Sequence, residues 1–384
     1  MASLNTCISS PSNNTPSSSN ESFYLGKSTS SWTNEKELTL LNIETFLEIS
    51  PDDVFVMGFR EFFKGDKQVI THYLKKHFPL CKSNDLHLKN KKECFKFTLN
   101  EMLPVNCEDM EDVDVAGLYR FNKDIETKSF AEYTMESKYS PDRSWLQNCC
   151  EENDKTYKTK ETTCQKIFYR LKSFSDQLLI MTNNRKKMDL TNKMFRDLFL
   201  SFVQIFELII IDDNNFQAYN MTVGTKTIRS EPDAVICKFF PTDVLQFTEK
   251  VIAVVHVEEE KDSCENISTK SKRRRTDDDK TSTTIGHIGS NIQGQHTGEM
   301  IAALSSSVFG FNGIFGFIVQ GTKVTVTSLR TSGQFSEQLK NGNIKNAHAT
   351  VRYSPQCNIL TKEGRSQLID IFLGMKVLLQ CLEL

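Results

Sequence analysis

The 384-residue chain carries 47 lysines and arginines against 49 aspartates and glutamates, a formal net charge of −2, and is 38% hydrophobic. This balance is typical of a globular protein and excludes binding to nucleic acid through a strongly basic overall charge. The opening residues lack the pattern of a secretory signal, and no stretch of about 18 consecutive apolar residues occurs. We therefore expect a soluble intracellular protein whose 11 cysteines are reduced and mostly buried, without structural zinc, since no Cys-x-x-Cys pair is present.

The first half of the chain has weak structural patterns. Residues 1–34 are rich in Ser, Asn, Thr and Pro, which predicts a disordered tail. Apolar residues then recur at helical spacing from residue 38 to the stop signal Pro51, and a second helix is expected around residues 66–78. The stretch 80–160 is polar and irregular. We assign residues 35–185 to a largely helical N-terminal accessory region of unknown role.

The second half of the chain is more regular. A phenylalanine-rich helix is predicted over 189–211, two short strands around a glycine turn over 216–240, and a buried strand over 250–259. A polar insertion at 262–286, expected to be disordered, precedes a helical pattern over 287–309. Two strands around Gly321 and a closing helix capped by Thr361 complete the order. This order predicts an α/β (α+β) domain over 186–384, with a central mixed sheet flanked by helices.

The buried strand ends in the charged segment EEEK. Because alternate residues of a strand share a face, Glu259 and Lys261 point one way, and His256 and Glu258 the other. If the strand that follows the Pro-Asp pair lies beside this one, Asp233 adds a second carboxylate. Hard oxygen ligands suit Mg²⁺, and a lysine beside them can stabilise charge on a phosphate. The pattern predicts metal-assisted hydrolysis of a phosphodiester.

Pro232-Asp233 followed by Glu259-Glu260-Lys261 resembles the PD-(D/E)xK motif of restriction-endonuclease-like nucleases. The predicted surroundings are similar, because a helix precedes the first strands, a hairpin leads to the motif strand, and a helix and a strand follow. The layout looks most like eukaryotic branches of this superfamily, such as the nuclease-like domains of Crinkler-type proteins. The resemblance leaves residues 1–185 uncovered, and the insertion after Lys261 departs from it.

The resemblance implies a restriction-endonuclease-like core and assigns roles to the motif residues. Asp233 and Glu259 would be ligands of Mg²⁺ or Mn²⁺, with Glu260 as a further ligand. Lys261 would be the catalytic cation. The implied reaction is metal-dependent hydrolysis of DNA or RNA, with DNA favoured over RNA.

Two helical positions complete the implied site. An acid on the preceding helix would be a further metal ligand, and Glu207 is the best match. A glutamine on the following helix would be catalytic, for which Gln295 or Gln293 fits. Gln295 lies one helical turn before Glu299.

Each of these residues also has a purely structural interpretation. The acidic segment could be a strand that runs into a solvated loop, and Pro232 could mark only the start of a strand. His256 could be a hydrogen-bonded core histidine, and the same interpretation applies to His287 and His296. Glu207 could lie on the exposed side of its helix.

The basic cluster Lys270–Arg275 lies within the polar insertion. Such a cluster is typical of a nuclear localisation signal or a nucleic-acid contact, and a solvated charge run is the alternative. We therefore expect a nuclear protein, with a cytoplasmic location as second choice, that contacts nucleic acid and a nuclear import receptor but no membrane. The alternative function is a catalytically inactive nuclease-like protein that binds nucleic acid or a protein partner.

Overall fold

The computed structural model of the chain describes residues 25–48, 50–62, 92–128, 130, 132, 163–185, 189–212, 218–241, 247–258 and 288–381. Several predicted features lie outside these residues: the helix around 66–78, Glu259, Glu260, Lys261, the insertion 262–286 with its basic cluster, and His287.

The described strands are β1 Ile43–Leu47, β2 Ile209–Asp212, β3 Tyr219–Val223, β4 Lys226–Ser230, β5 Ala234–Pro241, β6 Phe247–Glu258, β7 Gly313–Gln320, β8 Lys323–Thr331 and β9 Ala349–Asn358. The described α-helices are α1 Pro51–Phe62, α2 Val115–Thr127, α3 Thr163–Arg185, α4 Asn192–Gln204, α5 Ser290–Ala303, α6 Phe335–Lys340 and α7 Lys362–Cys381. Short π-helical segments span Asn34–Leu38 and Phe97–Met102. Among the described residues, no helix is long and apolar enough to cross a membrane.

The centre of the fold is a seven-stranded mixed sheet in the order β1-β9-β8-β7-β6-β5-β2. The pairs β1/β9 and β6/β7 are parallel and the other pairs are antiparallel, while β3 and β4 form a separate hairpin. Helices α1, α4 and α7 pack on one face of the sheet, and α5 packs on the other. The predicted mixed sheet flanked by helices is confirmed.

Strand β6 is buried on both faces, which explains its almost continuous apolar sequence. Ala253, Val255 and Val257 face the core formed with α4 and α7, and Val254 faces the core formed with α5. The predicted phenylalanine stripe of α4 also lies in the core, with Phe202 packed edge to face on Phe372 of α7 at a centroid distance of 6.0 Å.

The predicted helix over 189–211 is too long. Helix α4 ends at Gln204, Glu207 has a left-handed φ of 60°, and the following isoleucines form β2. β-Branched side chains favour strands, and β2 pairs with β5, so pairing outweighs the continued helical spacing.

The pattern before Pro51 is likewise only partly helical. A π-helical segment ends at Leu38, and Ile43–Leu47 forms strand β1, which pairs in parallel with β9. A partner strand 306 residues away, at the pair Ile43 and Ala349, decides this structure, and local spacing cannot report it.

Part of the predicted disordered tail is folded. Trp32 is 1% exposed and packs on α5, where Gly298 leaves room for its ring. Gly294, one turn earlier, lies so close to the N-terminal segment that a Cβ at this position would be 2.4 Å from the backbone of Thr33. Residues 25–34 are therefore anchored to α5 rather than free.

Residues from both sides of the predicted boundary at 185 contribute to the same core. β1 belongs to the central sheet, and α1 packs against β8 and β7. Cys107, Cys237 and Cys357 are free thiols, whereas Cys94 is disulfide-bonded, contrary to the expectation that the cysteines are reduced.

Candidate functional site

Asp233 lies directly before β5, beside the carboxyl end of β6. The two strands are antiparallel with Ala234 opposite Val255, so Asp233 comes opposite His256. The backbone N–H of Val257 donates a hydrogen bond of 2.7 Å to Asp233 Oδ2. This bond fixes the carboxylate at the end of β6 from which the EEEK segment continues.

Three carboxylates surround the buried imidazole of His256. Its Nδ1 lies 3.7 Å from Asp233 Oδ2 and 3.3 Å from Glu299 Oε1, and its Nε2 lies 3.7 Å from Glu258 Oε2. The side chain is 3% exposed. His256 and Glu258 thus share the face of β6 that packs on α5, as strand alternation requires.

Helix α5 supplies the other side of the cluster. Gln295 Nε2 donates a 3.0 Å hydrogen bond to Glu299 Oε1, one helical turn further along. His296 Nδ1 lies 3.8 Å from Glu299 Oε2, and its Nε2 is hydrogen-bonded to the Thr327 hydroxyl at 2.8 Å. Glu299 is 1% exposed and is the residue that contacts both the helix and the strand side chains.

The electrostatics follow from burial and from these contacts. Burial favours neutral His256, but the carboxylates of Glu299, Glu258 and Asp233 outweigh it and raise the pKa of its imidazole, so the ring carries a positive charge. Burial likewise favours protonated Glu299, yet the facing imidazolium holds the pKa of its carboxyl below the usual range. His296 stays neutral, because burial lowers the pKa of its ring.

The protein only partly offsets the cost of burying the Asp233 carboxylate. Burial raises the pKa of its carboxyl, and the His256 charge and the Val257 N–H only partly offset this effect. A carboxylate held in this state gains from an additional cation, because a positive charge within a few ångströms favours its ionised form.

Gln295, of the two glutamines considered, is the one that joins the cluster. Gln293 is fully buried, and its amide donates a 2.8 Å hydrogen bond to the carbonyl of Ile288 and accepts one from Asn34. Its contacts therefore hold the N-terminal segment and the start of α5 in place.

The structure does not bring Glu207 to Asp233. Its carboxylate forms ion pairs with Arg170, at 2.6 Å, and with Lys376. In the β2/β5 register, Ile209 lies opposite Cys237 and Asp212 opposite Ala234. The acid at the Asp233 end of β2 is therefore Asp212, which follows directly after the predicted helix 189–211 and was not assigned to a strand.

Carboxylate oxygens suit a hard cation such as Mg²⁺, so the donor chemistry of Asp233 fits the expected metal. Within the described residues, however, no group of three His, Cys, Asp or Glu side chains could hold a metal ion. A complete ligand set would need Glu259 or Glu260, which lie outside those residues together with Lys261.

Two members of the cluster were not recognised as site residues from the sequence. From the sequence, His256 is more typical of a core histidine than of a ligand, and Glu299 is only a neighbour of Gln295. The available signal was the position of Glu299, which lies four residues after Gln295 and is the only acidic or basic residue of α5 apart from His296.

Comparisons with protein-family models, with curated proteins and with solved structures found no match to the chain. Its function must therefore be argued from the site itself.

Proposed function

We propose that the protein is a metal-dependent nuclease with a restriction-endonuclease-like core, which hydrolyses phosphodiester bonds in DNA or RNA. One observation carries this proposal. Asp233 is fixed by the Val257 N–H at the strand end from which Glu259 and Lys261 follow, and Gln295 of α5 belongs to the same cluster.

The order of elements supports the proposed core. Helix α4 precedes β2, and the β3/β4 hairpin follows. Asp233 lies directly before the antiparallel pair β5/β6, which leads to the charged segment, and α5 and β7 come next. β7 lies parallel to β6, so the crossover through α5 places that helix over the strand. This is the sequence of elements that the resemblance implies.

In this function, Asp233 and Glu259 would hold the cation, with Glu260 as a further ligand. Asp233 contacts His256, so it lies on the face of β6 that also carries Glu258. Strand alternation would place Glu260 on this face and Glu259 and Lys261 on the other, so the proposal requires the chain to leave strand geometry after Glu258. A bound Mg²⁺ or Mn²⁺ would supply a Lewis acid and a water of lowered pKa. Lys261 would stabilise negative charge on the phosphate, because an ammonium acts most strongly on charge that develops in the transition state. Gln295 would present its amide oxygen to the reacting groups, since Glu299 holds the amide nitrogen.

The second candidate is a catalytically inactive nuclease-like protein that binds nucleic acid or a protein partner. It is favoured by the His256 imidazolium, which already occupies the position of a cation between Asp233, Glu258 and Glu299, at distances of 3.3 to 3.7 Å. Under either function, we propose a nuclear location and an import receptor that recognises Lys270–Arg275.

The test is incubation of the purified protein with labelled DNA and labelled RNA, with and without Mg²⁺ or Mn²⁺. The nuclease function predicts cleavage that needs the added cation and stops when a chelator is present. Binding of either nucleic acid without cleavage under all of these conditions would instead support the inactive protein.

A further inference from the structure

We propose that Glu299 is a positioning residue of the site, whose carboxylate fixes the Gln295 amide on one side and the His256 imidazole on the other. This inference rests on the proposed function for its catalytic consequence, but the positioning itself can be measured in the protein alone.

The contacts single out Glu299 within the cluster. Its Oε1 accepts the Gln295 amide at 3.0 Å and lies 3.3 Å from His256 Nδ1, and the same imidazole nitrogen is 3.7 Å from Asp233. Glu299 is therefore the link between the helix that carries Gln295 and the strand pair that carries Asp233.

The Glu299 side chain is also enclosed by the protein. It is 1% exposed, and its second oxygen, which accepts no hydrogen bond from the described residues, lies 3.8 Å from Nδ1 of His296. A partner held by packing sets the orientation of a catalytic side chain more precisely than a solvated one. Gln295 itself is only partly buried, so without Glu299 its amide would be free to rotate.

Two conservative variants separate the effect of the length of the Glu299 side chain from the effect of its charge. Glu299→Asp keeps the charge but withdraws the carboxylate from Gln295. Glu299→Gln keeps the length, so its amide oxygen can still accept the Gln295 hydrogen bond. Thr297→Val is the matched control, because Thr297 is fully buried on the same helix and bonded to Tyr353, outside the cluster.

The readouts are the side-chain amide NMR signals of Gln295, the thermal stability, and kcat and KM for nucleic-acid cleavage. In Glu299→Asp, we expect the Gln295 signals to lose their hydrogen-bonded shift and kcat to fall about 10- to 100-fold, with KM nearly unchanged. Glu299→Gln should retain the shifted Gln295 signals. Thr297→Val should change neither the Gln295 signals nor kcat.

The outcomes distinguish the two proposals. If the Gln295 signals of Glu299→Asp match those of wild type, Glu299 does not position the amide and the inference is overturned. If kcat falls equally in Glu299→Asp and Thr297→Val at equal loss of thermal stability, the effect is structural and the inference is again overturned. A wild-type protein that cleaves nothing refutes the proposed function, while the NMR comparison still decides the positioning role.

Discussion

At the scale of single residues, the positive charge on His256 determines how strongly the protein itself stabilises the ionised carboxylate of Asp233. The imidazolium is shared among Asp233, Glu258 and Glu299, and its shortest contact is with Glu299. Asp233 therefore receives only part of its stabilisation from the protein, and burial still raises the pKa of its carboxyl. In this arrangement the Asp233 carboxylate can still bind an external cation, whereas the Glu299 carboxylate already contacts His256 and Gln295.

The role of Asp233 can be tested by a substitution that preserves its shape. Asp233→Asn should abolish metal-dependent cleavage, by at least about 100-fold, because an amide is a poor ligand for a hard cation. The amide oxygen can still accept the Val257 N–H, so thermal unfolding should change little. The exposed acid Glu337 provides the control, and Glu337→Gln should cleave at the wild-type rate. Cleavage that survives both Asp233→Asn and a chelator would show that another site is responsible.

The buried ion pair between His256 and Glu299 makes a separate prediction about stability. His256→Leu leaves the Glu299 carboxylate buried beside a neutral residue, so the free energy of unfolding should fall by about 3 to 5 kcal/mol. Replacing both residues with leucine should recover part of this loss, because the Glu299 carboxylate is then no longer buried without its partner. Urea denaturation of the two single variants and the double variant measures the coupling. Strictly additive losses would mean that the two side chains do not interact.

At the scale of elements, the local signals of the sequence predict those parts of the fold whose causes are local. The turn glycines Gly224 and Gly321 have positive φ values of 60° and 62° and join the hairpins expected there. The two strands predicted over 216–240 are three, because β4 ends at Ser230 and β5 belongs to the central sheet. Thr361 accepts the N–H of Gly364 at the start of α7, as predicted. Strand β1 and the folded segment around Trp32 were missed, because each is stabilised by a partner far away in the sequence.

The close approach of the N-terminal segment to α5 predicts the effect of adding one methyl group. In Gly294→Ala, the new Cβ would meet the Thr33 backbone at 2.4 Å, so the segment must move. We expect a loss of about 1 to 3 kcal/mol in the free energy of unfolding and faster proteolysis at residues 25–34. Gly333 has no atom within 4 Å of an added Cβ, so Gly333→Ala should leave the proteolysis rate unchanged. Equal proteolysis of the two variants would show that the segment does not depend on this contact.

At the scale of the whole molecule, charged groups from distant parts of the chain lie close together on the face of the sheet that α1 and α7 cover. Asp52 belongs to the first turn of α1, and Lys92 forms a 2.6 Å ion pair with Asp370 of α7. Asp52 interacts electrostatically with both of these residues. The sequence places these residues in separate regions and gives no sign that they meet. In the same way, it indicates Asp233 and Gln295 as candidate site residues but does not show that Glu299 and His256 connect them. Packing of α1 on α7 creates this second cluster.

Asp52 makes the stability of the molecule depend on pH. Burial, with a smaller contribution from Asp370, raises the pKa of its carboxyl from the ordinary 3.8 to about 6. Between these two values the folded state binds more protons than the unfolded state, so the stability that this group contributes is present below about pH 4 and is lost as the pH rises through about 6. Asp52→Asn removes this loss, and at pH 7 it should raise the free energy of unfolding by about 1 to 2 kcal/mol relative to wild type.

Denaturation at several pH values between 4 and 7 should show that the difference in the free energy of unfolding between Asp52→Asn and wild type grows with pH. Glu337→Gln, at an exposed position that is not among the groups acting on Asp52, should keep the wild-type slope. A pH dependence that is the same in Asp52→Asn and in wild type would mean that Asp52 titrates alike in the folded and unfolded chains.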